Sequence, residues 1–191
     1  MPHKVIILSG PSGSGKTTLY KKLLADRRLA KRLTKTVSFT TRDPRPGEKH
    51  GRDYFFISRT MFEYKIRARH FLEYEKVFEN YYGTSRKNVK DIFHRTNALL
   101  CIDVKGARTV RKYFPKAVSI FIQAPNMGEL KKRLAGRGSE NSKELFRRIE
   151  RVKEELTHVG EYGHILVNDN LQDCYRKLAR IVAEEIRPGL P

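Results

Sequence analysis

Cysteine is scarce: the 191-residue chain has two, Cys101 and Cys174. Two are too few for a disulfide framework and neither lies in a metal-ligand spacing, so a reducing compartment is expected, with both thiols as buried filler. Long apolar runs are missing as well. The start, MPHKVIILSG, offers only a short apolar run before Gly10, far less than a signal-peptide core or a membrane span requires; a soluble, cytoplasmic protein is expected, with no membrane among its partners. No internal repeat occurs at any useful period, which excludes a solenoid or an array. The length fits a single domain carrying small inserted lobes. Acid is in deficit, 21 Asp+Glu against 40 Lys+Arg, for a formal net charge of +19. That balance attracts anions without choosing among nucleotides, nucleic acid and acidic membrane. The basic residues are scattered along most helical segments rather than gathered with stacking aromatics, so specific nucleic-acid binding is not expected.

What is present is an alternation of buried-strand and helix signals. Val5 to Leu8, Ala98 to Ile102, Val118 to Ile122 and His164 to Val167 read as buried strands separated by helical sequence. Such alternation predicts an α/β fold, a mostly parallel sheet flanked by helices on both faces. Asn126 with Glu129 resembles a capping pair; Leu145, Ile149, Val152, Leu156 and Val159 form one apolar stripe at helical spacing. The last helix is expected to begin near Asn170, with Leu171, Cys174, Leu178 and Val182 facing inward. Residues 36–84 break the rhythm: TVSFT, DYFFI and HFLEYEKVF read as short strands of an inserted antiparallel lobe, around a polar helix from about Thr60 to Arg69. GRGSENSKE, within 136–147, reads as a small lid. The core is then 1–35, 85–135 and 148–191.

Gly10, Pro11, Ser12, Gly13, Ser14, Gly15, Lys16 and Thr17 spell G-x-x-x-x-G-K-[ST] between a buried strand and a helix, where a phosphate-binding loop must sit. The glycines let backbone N–H groups wrap an anion, and the helix N-terminus adds positive potential. Lys16 is placed to reach the β- and γ-phosphates, and the Thr17 hydroxyl to ligate Mg²⁺ carried with ATP. This motif alone leaves switches, motors, transporters and kinases open.

Several separated motifs, in order, narrow the choice: SGPSGSGKTT at 9–18, SFTTRDPRPGEKHGRDY at 38–54, FLEY at 71–74, NYYGT at 80–84, IDVKGA at 102–107, LAGRGSENS at 134–142 and VND at 167–169. Over nearly its whole length the chain resembles the guanylate kinases. The resemblance implies a P-loop NTPase-type core with an inserted GMP-binding lobe and a lid, acting in ATP-dependent phosphorylation of GMP and dGMP to GDP and dGDP. It further implies that Ser38, Arg42, Arg45, Tyr54 and Tyr82 grip the GMP phosphate, in keeping with the paired hydrogen bonds that guanidinium forks make to phosphate oxygens. Arg52 and Arg59 match no such role and read as surface charge.

The resemblance assigns guanine recognition to Glu73 and Thr84. A carboxylate accepts from the N1–H and N2–H₂ edge of guanine, a donor pattern adenine lacks, while the hydroxyl serves O6. Without that context, Glu73 would read as a solvated strand residue. Asp103 matches an aspartate near the acceptor and the metal, or is simply the N-cap of the next helix. Guanylate kinases commonly carry another acid where this chain has Cys101, and glutamine where it has Lys105. The lid Arg137 and the helical Arg148 match arginines that close over the triphosphate and, with Lys16 and Arg42, form the catalytic set that neutralises charge during transfer; Arg133, Arg147 and Arg151 are near enough to compete for the role. Thr18 falls with the ATP-binding loop; Asn168 and Asp169 match a position beside adenine, or cap the helix that follows. A monomer or a homodimer is expected. Two other classes fit parts of the pattern: a non-catalytic phosphopeptide-binding module, argued against by the intact loop, and a P-loop kinase for another phosphorylated acceptor, argued against by Glu73, Tyr82 and Thr84 together.

Overall fold

The computed structural model describes residues 3–135 and 142–187. Its core is a five-stranded, wholly parallel sheet in the order β2-β7-β1-β8-β9. The chain enters it through β1 (Val5–Ser9), passes the glycine loop into α1 (Lys16–Ala25), and returns as β2 (Leu33–Lys35). The inserted lobe follows: β3 (Phe39–Thr40), β4 (Phe55–Phe56), α2 (Arg59–Arg67), β5 (Phe71–Val77) and β6 (Asn80–Ser85). The core then resumes through α3 (Arg86–Phe93), β7 (Asn97–Cys101), α4 (Val104–Tyr113), β8 (Val118–Gln123) and α5 (Met127–Ala135). It closes with α6 (Ser142–Leu156), a 3-10 turn at Val159–Glu161, β9 (His164–Val167) and α7 (Leu171–Glu185).

The central strands are apolar throughout because both faces are covered. Successive side chains of a strand point to opposite faces. Ile6 and Leu8 accordingly pack with Leu19 and Leu23 of α1 and Cys174, Leu178 and Val182 of α7, whereas Val5 and Ile7 pack with Val89 of α3 and Val104 and Val110 of α4. At about 25 cal/mol per Å² of buried apolar surface, these two layers are the main source of stability.

Four expectations change. His164 to Val167 is an edge strand, with Ile165 and Val167 exposed, because nothing pairs with its outer side among the described residues. Leu171 opens α7 from the solvent side rather than facing inward. The lobe sheet, β4-β3-β6-β5, is mixed: β3–β6 and β5–β6 are antiparallel, but β3–β4 is parallel. The long segment joining β3 to β4 makes no tight hairpin; it loops away and brings β4 back in the same direction, which is what a parallel pair requires. The DYFFI and TVSFT strands shrink accordingly to two residues each, and β2, too short to show a periodicity, joins the core edge. Aromatic stacking holds the lobe together, with Phe39 on Phe55 and Phe62 on Phe71.

Caps set the helix starts. Ser58 accepts from Met61 N, Ser85 from Asn88 N, Asn126 from Glu129 N, and Asn170 from Gln172 and Asp173 N.

Candidate active site

One cleft of about 380 Å³ opens beyond the carboxyl ends of β1 and β7, between the core and the lobe. That end of a parallel sheet is where open α/β folds bind ligands. Gly10, Pro11, Ser12, Gly13, Gly15, Lys16, Thr17 and Thr18 line it from the core; Ser38, Arg42, Arg45, Tyr54, Glu73, Glu75 and Tyr82 are among those that line it from the lobe; Cys101, Asp103, Arg148, Arg151 and Glu155 also border it, whereas Ser14 and Thr84 lie behind the lining. Residues far apart in sequence, all anticipated as donor or acceptor groups apart from Glu75, Cys101, Arg151 and Glu155, thus share one space.

The loop is held open by its glycines. Gly10, Gly13 and Gly15 have positive φ, and a Cβ at Gly10 or Gly15 would collide with the Ile122 carbonyl or the Asn168 amide respectively. Lys16 arches back over the loop, donating to the carbonyl oxygens of Gly10 and Pro11, the latter at 2.9 Å. Thr17 and Thr18 stand exposed on the first turn of α1. Asn168 is buried behind the loop: its amide donates to Ser14 O at 2.8 Å, its own N–H reaches Gln123 O at 2.7 Å, and Arg133 donates to its carbonyl at 3.0 Å. Asn168 therefore braces the loop and, like the exposed Asp169, lies outside the cleft lining.

On the lobe side, Glu73 faces Thr84 across the β5–β6 pair, just after a register shift between Phe71 and Glu73. That bulge makes Phe71, Leu72 and Glu73 three consecutive buried residues and turns the carboxylate into the cleft, as bulges beside functional sites do. Glu73 is 7% exposed. Burial pushes its carboxyl up to about 7; Asp103 and Glu75 add to the rise, and hydrogen bonds from Thr84 oppose it. The Thr84 and Ser38 hydroxyls lie 3.2 Å apart, both buried, so the hydroxyl pair continues the polar wall away from Glu73.

Arg42 donates to both Glu48 oxygens, at 3.0 and 2.9 Å, and to Asp43 O at 2.5 Å. Its guanidinium lies 5.7 Å from the Tyr54 ring centre, and Tyr54 meets Tyr82 edge-on at 6.1 Å. Burial raises the Tyr54 phenol to about 12, which keeps it a neutral O–H donor across the working pH range. Arg45 is exposed at the rim, its N–H donating to Glu48 at 2.8 Å. Glu48, six residues after Arg42 and past a Pro-Arg-Pro-Gly turn, was not singled out from the sequence; an acid closing a basic turn is the signal that points to it. Arg52 pairs with Asp53 and Gly47 O, and Arg59 with Glu63, so neither joins the site.

Asp103 combines both sequence readings. One oxygen caps α4 by accepting from Gly106 N at 2.8 Å; the other accepts from Arg151 at 3.0 Å within the cleft. Arg151 also pairs with Glu155. Of the competing arginines, Arg148 and Arg151 line the cleft, Arg147 is exposed outside it, and Arg133 is committed to Glu129 and Asn168. Arg137 and half of the expected lid, residues 136–141, lie outside the described residues. Cys101 is half-buried, packing against the core on one side and lining the cleft on the other, and desolvation raises its thiol to about 11, against the pull of Lys35 and Lys16. Cys174 is core filler, as expected.

Among the described residues no helix is long and apolar enough to cross a membrane, and no cluster of three or more His, Cys, Asp or Glu could hold a metal ion.

Comparison with known proteins agrees with this geometry. The guanylate kinase family model matches residues 2–185. The guanylate kinase of Clostridium acetobutylicum is 40% identical over 182 residues, 95% of this chain and 85% of that protein. That of Nitrosospira multiformis is 40% identical over 185 residues, 96% of this chain and 87% of its own length. The crystal structure of guanylate kinase from Anaplasma phagocytophilum superimposes with a TM-score of 0.79 at 30% identity, covering 98% of this chain and 88% of the other. With its P-loop and its buried Glu73 lining the same cleft, the chain belongs to the guanylate kinase family.

Proposed function

We propose that the protein passes the γ-phosphoryl group of ATP directly to the phosphate of GMP or dGMP, with the donor on the glycine-loop side of the cleft and the acceptor on the lobe side. The observation that carries this reading is the burial of a carboxylate, Glu73, in the wall of the cleft that also holds Lys16 and Thr17, with a buried hydroxyl, Thr84, opposite it on the adjacent strand and behind the cleft lining. Buried polar groups of this kind demand a matching ligand edge, and guanine offers N1–H and N2–H₂ to the carboxylate and O6 to the hydroxyl.

Each residue then has a task. Ser38, Arg42, Arg45, Tyr54 and Tyr82 hold the acceptor phosphate, with Asp103 bordering the acceptor. The loop N–H groups from Gly10 to Thr18 and Lys16 hold the donor phosphates; Arg148 and the lid Arg137 neutralise charge on the transferring group. Asn168 and Asp169 belong to the ATP side, Asn168 acting through the loop it braces. The exposed Thr17 hydroxyl is a hard oxygen donor that fits Mg²⁺, to be completed by phosphate oxygens and water. When bound, Mg²⁺ neutralises charge on the phosphate oxygens. A protein general base is unnecessary, because a phosphate monoester with a second pKa of about 6 is already largely ionised at neutral pH.

The test is an ADP-release assay with Mg²⁺, ATP and each of GMP, dGMP, AMP, CMP and UMP. Turnover confined to GMP and dGMP is expected. Comparable turnover of AMP would overturn the assignment of Glu73 and Thr84 to base selection.

A further inference from the structure

The first turn of α4 touches both sides of the cleft. Lys105 Nζ lies 3.2 Å from Glu75 of β5 and 3.9 Å from Glu154 of α6. One residue on, Gly106 packs so closely on the lobe that a Cβ there would stand 2.7 Å from Glu73 Oε2. Two residues before Lys105, Asp103 accepts from Arg151 of α6 at 3.0 Å. The same four-residue segment therefore meets the strand that carries Glu73 and the helix that carries Arg148. Glu75 and Glu154 belong to different bodies, and a single ammonium between them is their shared counter-charge.

We propose that Lys105 is a positioning residue: its ammonium ties β5 of the lobe to α6 of the core and thereby sets the placement of Glu73 over the acceptor site. Lys105 contacts no reacting atom in this scheme, and it lies outside the cleft lining. Its side chain is 54% exposed and those of Glu75 and Glu154 are 22% and 59% exposed, so the tie is strong enough to bias lobe position and weak enough to yield when the lobe moves. The proposal rests on GMP being the acceptor; wild-type turnover of GMP tests that reading separately, before any variant is made.

The experiment compares Lys105→Gln, Glu75→Gln, the double variant and Lys105→Arg in steady-state kinetics at low and high KCl. Exposed ion pairs of this kind correspond to effects of about two- to fivefold. The expected result is that KM for GMP rises by that factor in Lys105→Gln, with kcat and KM for ATP unchanged. Glu75→Gln should match it, the double variant should be no worse than either single change, and Lys105→Arg should retain the wild-type KM. The difference from wild type should shrink in about 0.5 M KCl, because exposed ion pairs weaken as salt rises. An unchanged KM for GMP in Lys105→Gln, equal shifts for GMP and ATP, or additive effects in the double variant would overturn the proposal.

Discussion

Glu73→Gln separates the two demands placed on that buried carboxylate. In the unliganded protein its pKa is raised from 4.5 to about 7, chiefly by desolvation. An acid whose folded pKa lies above its unfolded value holds its proton more tightly when folded, so stability is greatest below the unfolded value and is lost as pH rises toward 7. At about 1.4 kcal/mol per pH unit, the full rise corresponds to about 3 kcal/mol lost above neutrality. Glutamine has the same shape and no charge to desolvate. Its melting temperature should therefore match wild type near pH 5 and exceed it at pH 8, by roughly 4–8 °C if about 2 kcal/mol of the penalty is realised in a chain of this size. Activity should move the other way. The glutamine NH₂ would face a guanine N–H, leaving donors opposed, and kcat/KM for GMP should fall by roughly a hundredfold or more. The wild-type kcat/KM for GMP should itself decline as pH falls through about 7, because only the ionised carboxylate accepts both guanine hydrogens. Melting curves from pH 5 to 9, read beside GMP kinetics, check both halves. A variant less stable than wild type at pH 8, or a stability gap that does not change with pH, would refute the desolvation reasoning.

Gly15→Ala forces a side chain into positive φ and against the Asn168 amide; a loss of about 1–3 kcal/mol in urea unfolding and at least a roughly tenfold drop in kcat/KM for ATP are expected. Asn168→Ala leaves the Ser14 carbonyl without its amide donor, so about 1–3 kcal/mol should be lost in the same unfolding assay. KM for ATP should rise while KM for GMP holds. Glu48→Gln keeps an acceptor for the Arg45 N–H and removes the charge that orients Arg42; KM for GMP should rise roughly three- to tenfold, with ATP kinetics unchanged.

What the sequence discloses most readily is backbone that must take one conformation. The P-loop was readable because glycine, lysine and threonine stand at fixed offsets between a strand and a helix. Four of the five core strands were readable as continuous apolar runs, although β9 shows that such a run does not distinguish a buried strand from a half-open edge. The parallel β3–β4 pair was not readable, since two-residue strands carry no periodicity and their pairing depends on where a long loop returns. The bulge at Leu72 was hidden for a related reason: an extra residue in one strand becomes visible only when its partner is aligned. Within the site, Arg42, Arg45 and Glu73 were legible as cleft residues through their motifs, whereas Glu48, Glu75 and Arg151 gain meaning only from the distances that bring them to Arg42, Lys105 and Asp103.

These partner acids bear on how phosphate enters a cleft so rich in cations. Arg42 is bonded to Glu48 and Asp43 O, and Arg151 to Asp103 and Glu155. A guanidinium carries five N–H donors, more than Glu48 and the Asp43 carbonyl use, so an arriving phosphate can share Arg42 with Glu48 rather than displace it. Sharing costs less than exchange: the turn from Arg42 to Glu48 stays ordered, and the guanidinium fork is already aimed when the nucleotide arrives. The glutamates also keep neighbouring cations from repelling one another before any phosphate is bound. The acids around the cleft thus act to hold Arg42 and Arg151 in place, and Glu73, buried and opposite Thr84, is the carboxylate to which the proposed function gives the base.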